Sequence, residues 1–284
     1  QHFGEVWDRL LDPAIYERVQ GPDNAPGEQG EDGLPVTFPK KLDGGSTVLT
    51  NRFFDAFDHA PVNNELVEDM AERLVEHEHL GEDDTPDLLC VGFSQTDKAG
   101  HAYGPDSQEV MDSYLRLDRT LADFFAFLDR KVGLAHCVIV LTADHGVAPL
   151  PERIQREQGP AAAGRLAGAA LDTFVKAALN AAFGPLPDNV YWAVRDNSGY
   201  HLNPAALAAK QLAAPVVGAK LREILLQHPM IAAAYTREQL TGPDPLDEFG
   251  EMERLSFYPP RGTDVVYIPK PYFIERTPAG STHG

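Results

Sequence analysis

The sequence predicts an α/β fold, and three observations carry that expectation. Asp87-Leu-Leu-Cys-Val-Gly-Phe93 and His136-Cys-Val-Ile-Val-Leu-Thr142 are short apolar runs with the profile of buried strands. Between them, Ser107 to Lys131 reads as the clearest helix. Val110, Tyr114, Leu117, Leu121, Phe124, Phe125 and Leu128 form its buried stripe, and Ser107 is placed to cap it. Arg116, Asp118, Arg119 and Asp123 fall on its solvent side. A strand, a crossover helix and a second strand imply a parallel pair joined by a right-handed connection.

The remaining elements follow in chain order. Phe3, Val6, Trp7, Leu10 and Leu11 make a helix-like stripe at the start. The turn-rich, acidic stretch from Gly21 to Gly33 reads as a poorly ordered surface loop able to cover a site. It lacks the Asp-x-Asp-x-Asp-Gly spacing of a calcium loop. Leu66, Val67, Met70, Ala71, Leu74 and Val75 predict a helix from Asn63 or Asn64 to about His79, with Asn64 as its cap. His77 and His79 near its end suit the negative end of the helix dipole. After Pro149-Leu-Pro-Glu152 the composition changes. Ala161–Phe183, Pro204–Ala213 and Val216–Gln227 read as helices, and Val190–Arg195, Tyr200–Leu202 and Met230–Thr236 as short strands. The predicted organisation has three parts: an α/β core over residues 1–152, an α+β insertion or cap over 153–255, and a return to the core over 256–284.

At 284 residues, with 43% apolar and 24% charged residues, the chain can bury a substantial core. A net charge of −19 argues against a nucleic-acid polymer as a tight partner. A small phosphate ester is not excluded, because bound dications reverse the sign locally. No stretch approaches a membrane span, and the first residues carry no signal-peptide pattern. Cys90 and Cys137 lie inside the two apolar runs and are expected to be buried, reduced thiols.

Each apolar run delivers ligand-type residues at its C-terminal end, where open α/β sheets keep their sites. The first is followed by Ser94-Gln-Thr-Asp97-Lys-Ala-Gly-His101. Asp97 and His101 stand four apart, so on a helical turn they face the same way. The second delivers Ala143-Asp144-His145-Gly146, and Gly280-Ser-Thr-His283-Gly284 closes the chain. Carboxylate oxygens and imidazoles gathered together suit zinc better than magnesium, with manganese as an alternative.

Together these residues resemble the alkaline phosphatase superfamily, in the branch of type I phosphodiesterases, nucleotide pyrophosphatases and threonine-nucleophile alkaline phosphatases. The resemblance rests on Ser-x-x-Asp97-x-x-Gly-His101-x-x-Gly-Pro105, on Thr-Ala-Asp144-His145-Gly and on Gly-x-Thr-His283-Gly, in the family's order. It implies a mixed or mostly parallel sheet flanked by helices. It also implies two zinc ions, one held by Asp97, His101 and His283 and the other by Asp144 and His145. The implied reaction is hydrolysis of small phosphate monoesters or diesters, in a periplasmic or secreted protein. In this family a further aspartate and a Thr or Ser nucleophile lie well upstream of these motifs. No such setting is found here, and Thr37 lacks it. The nucleophile is therefore expected upstream of this chain. The chain is expected to be an incomplete piece of a longer enzyme, inactive alone and inclined to self-associate through exposed sheet surface. Two other readings remain at this point: a metal-dependent phosphomutase of the same superfamily, and a non-catalytic, metal-stabilised binding module.

Overall fold

The computed structural model describes residues 2–30, 34–196 and 199–283. The chain divides into two compact units, Gln1–Gly159 with Pro278–Gly284, and Pro160–Thr277.

In the first unit the elements are β1 (Val6–Trp7), α1 (Pro13–Gln20), β2 (Lys40–Lys41), α2 (Asn51–Asp58), α3 (Val62–His77), α4 (Gln95–Tyr103), α5 (Gln108–Lys131) and α6 (Pro151–Gln158). A single 3-10 turn spans Leu134–His136. α3 packs on α5 through Ala71, Val75, Phe124 and Phe127. A second cluster gathers Trp7, Phe38, Leu42 and Phe53. A third seats Ala99, Ala102 and Tyr103 of α4 on Val110 of α5. α5 begins as expected: the Ser107 hydroxyl accepts from the Val110 N–H at 3.2 Å.

Several expectations for this unit are corrected. The stripe from Phe3 to Leu11 is not a helix. Val6 and Trp7 pair antiparallel with Lys41 and Lys40. The helix starts later because Pro13 fixes its first turn and the Asp12 side chain caps it, accepting from Ala14 N–H at 2.8 Å. Asn64 caps nothing. It lies buried inside α3, which starts after Pro61, and donates to Gln95 Oε1 at 3.3 Å. Leu66, Met70 and Tyr114 of the two predicted stripes are exposed. The described part of the acidic loop, Gly21–Gly30, is tied down rather than loose: Gln29 N–H donates to Ala102 O at 3.0 Å. Glu31, Asp32 and Gly33 of that loop lie outside the described residues.

The largest correction concerns the two apolar runs. Neither Asp87–Phe93 nor His136–Thr142 is a strand or buried. Leu88 is 87% exposed, Val138 94% and Val140 81%. A buried strand needs a ladder partner on its edges and cover on its faces. Among the described residues neither run has a ladder partner, so the predicted parallel pair does not form there. The cysteines move with them: Cys90 is exposed and Cys137 half-buried, and both are free thiols.

The second unit contains β3 (Gly164–Arg165), α7 (Gly168–Phe183), β4 (Ala193–Asp196), β5 (Gly199–Leu202), α8 (Pro204–Lys210), α9 (Ala214–Gln227), β6 (Ile231–Thr236), α10 (Arg237–Thr241), α11 (Glu248–Ser256), β7 (Val265–Pro269) and β8 (Phe273–Ile274). Four strands form an antiparallel sheet in the order β4-β5-β7-β6, and β3 pairs parallel with β8. Leu171, Val175 and Leu179 of α7 and Val217, Leu221 and Leu225 of α9 share one core with Trp192, Tyr200 and Val265. The stretch read as a return to the core from residue 256 belongs to this unit as far as Thr277. The reason is β7, whose backbone is bound on one side to β5 and on the other to β6.

Candidate metal centre

The site residues all lie in the first unit. Asp97 occupies the first turn of α4 and His101 its last. The start of α4 is anchored by Gln95, which is 1% exposed. Its side-chain amide donates to His59 O at 2.7 Å and to Ser113 Oγ of α5 at 2.9 Å, and its oxygen accepts from Asn64 of α3. The helix ends at Gly104, where φ is +84° and an added Cβ would lie 2.6 Å from Leu150 Cγ. Both ends of α4 are thus fixed, and its two ligand-type side chains are presented one turn apart.

Asp97 Oδ1 is the centre of the cluster. It lies 3.6 Å from His101 Nε2, 3.8 Å from His145 Nε2 and 3.5 Å from His283 Nε2. The Nε2 atoms of His101 and His283 are 3.0 Å apart. The His145 and His283 rings stack loosely, with centroids 3.6 Å apart and planes tilted by 35°. Donor atoms of Asp97, His145 and His283 all fall within 4.8 Å of one another. His145 Nε2 is also 3.5 Å from Asp144 Oδ2, and the Asp144 side chain is 89% exposed. The structure therefore gathers all five residues singled out from the sequence, with Asp97 at the centre and Asp144 at the rim.

Two features of this arrangement fit a divalent cation. Asp97 Oδ1 is shielded from solvent yet has no hydrogen-bond partner among the described residues. A buried carboxylate oxygen left in that state is costly unless a cation meets it. The histidines are also aimed. His101 Nδ1 faces Ser281 O at 2.9 Å and His145 Nδ1 faces Gly146 O at 3.0 Å. A carbonyl only accepts, so each Nδ1 carries the proton and each Nε2 offers a lone pair toward the cluster. Ligand atoms about 2.1 Å from a tetrahedral zinc stand roughly 3.4 Å from one another, close to the separations found here. The donor atoms that converge belong to Asp97, His145 and His283, with His101 Nε2 3.6 Å from Asp97 Oδ1, a set of carboxylate and imidazole donors that fits a divalent cation.

Behind α4 lies a buried ion pair that the sequence reading missed. Lys40 and Glu109 are both 0% exposed, with Nζ 2.9 Å from Oε1. Nζ also donates to the carbonyls of Pro35 and Val36, each at 2.7 Å, and sits 4.3 Å from the Tyr103 ring at the end of α4. Two carbonyl acceptors and the Glu109 carboxylate thus surround Nζ. Burial pushes the Glu109 carboxyl up and the Lys40 ammonium down, and the pairing opposes both shifts. A dipeptide Lys40-Lys41 in an otherwise acidic segment was the only sequence signal.

A family model of type I phosphodiesterase / nucleotide pyrophosphatase matches residues 31–271. This chain belongs to that family. Among curated relatives in the wider group, alkaline phosphatase PhoK of Sphingomonas sp is 29% identical over 264 residues, covering 87% of this chain and 46% of PhoK. Alkaline phosphatase PafA of Elizabethkingia meningoseptica is 49% identical over 88 residues, 31% of this chain and 16% of PafA. The crystal structure of alkaline phosphatase PafA superposes with a TM-score of 0.83 at 28% identity, covering 98% of this chain and 51% of that one. The phosphodiesterase-family chain therefore has the mixed α/β fold of an alkaline phosphatase and spans about half the length, or less, of these relatives. No helix among the described residues is long and apolar enough to cross a membrane.

Proposed function

We propose that this chain carries the metal-binding part of a two-metal phosphoric ester hydrolase. The observation that supports this most is Asp97 Oδ1, shielded and unpartnered, with three imidazole Nε2 atoms within 3.8 Å. In this reading Asp97, His101 and His283 hold one zinc ion, and His145 and Asp144 contribute to a second, with manganese as the alternative metal. Such ions, when bound, stabilise charge on phosphoryl, attacking and leaving oxygens and lower the pKa of a bound hydroxyl or water.

The chain's own residues orient and neutralise. The carboxylate of Asp97 supplies charge at the centre of the site. The backbone acceptors behind His101 and His145 hold each ring with Nε2 forward. The exposed Asp144 carboxylate stands at the open side, where a substrate phosphate would approach. The substrate class is a small phosphate monoester or diester. Both are within reach of this family, whose named members include alkaline phosphatases and venom phosphodiesterases. The nucleophilic hydroxyl is assigned to a part of the family fold outside the matched half, in a protein working in the periplasm or outside the cell. The chain by itself is then expected to be a poor catalyst.

The experiment is a zinc titration of metal-free protein, followed by assays with an aryl phosphate monoester and an aryl phosphate diester. About one tight zinc equivalent is expected, from three protein ligands plus water. His101→Ala should abolish it, and an undiminished tight equivalent in that variant would sink the assignment.

A further inference from the structure

Three stretches far apart in sequence supply the cluster, and a single residue joins them. Ser281 is 0% exposed and uses its backbone N–H, its backbone carbonyl and its hydroxyl. Its N–H donates to His101 O at 2.8 Å, and its carbonyl accepts from His101 Nδ1 at 2.9 Å. Its hydroxyl donates to Ala148 O, three residues beyond His145. Ala148 N–H returns a bond to Thr282 O at 2.9 Å. The turn before it is held as well: Gly280 N–H donates to Gly27 O at 2.7 Å.

We infer that Ser281 is the positioning residue of this metal centre, acting through His101 and through the backbone that carries His145 and His283. The reason is what each bond fixes. The paired bonds between Ser281 and His101 set the ring's tautomer and its orientation with one carbonyl. The hydroxyl then locks the distance between the segment leading out of His145 and the segment leading into His283. Alanine at this position keeps both backbone bonds to His101 and the Ala148–Thr282 backbone bond, and removes only the hydroxyl's tie to Ala148 O. A histidine whose second nitrogen is held by an outer partner is a better ligand, and loss of such partners typically costs metal affinity about ten- to a hundredfold. The backbone stitch also explains how His283 lies 3.0 Å from His101, 182 positions away in sequence.

This inference rests on the metal-centre reading, and its test separates the two. The first measurement uses metal-free wild-type protein and nitrogen-15 NMR of the histidine rings. His101 should be the tautomer protonated at Nδ1; a proton on Nε2 overturns the inference without reference to any metal. The second compares wild type and Ser281→Ala by zinc competition against a chelator, with thermal melting of both metal-free proteins. The expected result is a dissociation constant raised about fivefold, the loss of one hydrogen bond, with the metal-free melting temperature lowered by only a few degrees. An affinity within twofold of wild type overturns the inference. If wild-type protein takes up no zinc, the metal-centre reading fails and the NMR result alone decides on Ser281's hold over His101. A Ser281→Ala protein that does not fold leaves the wild-type NMR measurement to decide.

Discussion

Asp97 Oδ1 and His283 Nε2 face each other across 3.5 Å, although 186 positions separate the two residues. Neither owes its place to its neighbours in sequence alone. Asp97 is set by α4, whose start is pinned by Gln95, and His283 by the backbone stitch around Ser281. Two independently anchored groups pointing at one spot make the cluster a built site.

The carboxylate at the centre should matter more than any one ring. Asp97→Asn keeps the shape and removes the charge that draws a dication into the cluster. Tight zinc uptake should be lost, and calorimetric titration would register only weak binding. Asp144→Ala, at an exposed rim position, should leave the first equivalent intact and weaken a second. Equal losses in the two variants would remove Asp97 from its central place.

Thiol reactivity should follow the exposed course of the two apolar runs. Cys90, exposed and free, should label promptly with a thiol reagent in the native protein, and the half-buried Cys137 more slowly. Protection of both until unfolding would mean that Asp87–Phe93 and His136–Thr142 are covered in solution. The same runs bear on association. Val138 and Val140 stand 94% and 81% exposed, so the chain should elute above the size of a 31.1 kDa monomer. Lysine at both positions should return it to that size by light scattering.

Those two runs also mark what the sequence could and could not tell. The five candidate residues that the structure brings near one another were legible because Asp97 and His101 are spaced four apart and because Asp144-His145 and His283 sit in short Gly-containing motifs. The helix Gln108–Lys131 was legible because Ser107 caps it and its apolar residues recur at helical spacing, although of the seven residues of the predicted stripe only Val110 and Phe124 are buried. Strand composition, in contrast, states only that a segment can be buried; whether it is depends on a partner that local pattern does not encode. The same gap hid the tertiary anchors. Nothing near Asp112 in sequence announces that Trp7, Tyr16 and Leu10 will meet there, and nothing near Ser281 announces Ala148.

Asp112 should be the most sensitive carboxylate outside the site. It is 0% exposed and accepts from Trp7 Nε1, Leu10 N–H and Arg116 Nε, each at 2.7 Å, and from the Tyr16 hydroxyl at 2.5 Å. Burial and this carboxylate push the Tyr16 hydroxyl up to about 12. Asp112→Ala would strand several donors at once and should cost about 3 kcal/mol in denaturant unfolding. Asp69→Ala breaks an exposed i,i+4 pair with Arg73 and should change little. Similar midpoints for the two variants would contradict the buried network.

The last expectation concerns pH and Glu28. Its carboxyl accepts from Ala25 N–H at 2.9 Å in the acidic loop. Burial, then the Glu109 charge and to a lesser degree Asp23, push its pKa from 4.5 up to about 8, against the pull of that N–H and of Lys40. The folded protein therefore holds this proton more tightly than the unfolded chain does. Stability from this group is fully present below about pH 4.5 and is lost as pH rises through about 8. Glu28→Gln keeps the shape, offers Ala25 an acceptor and cannot ionise. Wild type and variant should melt within about a degree of each other at pH 4.5, while at pH 9 the variant should melt several degrees higher. The comparison between the two proteins cancels the titration of the other carboxyls, which both share. A gap of the same size at both pH values would show that Glu28 titrates at its ordinary value and that the loop leaves it in contact with water.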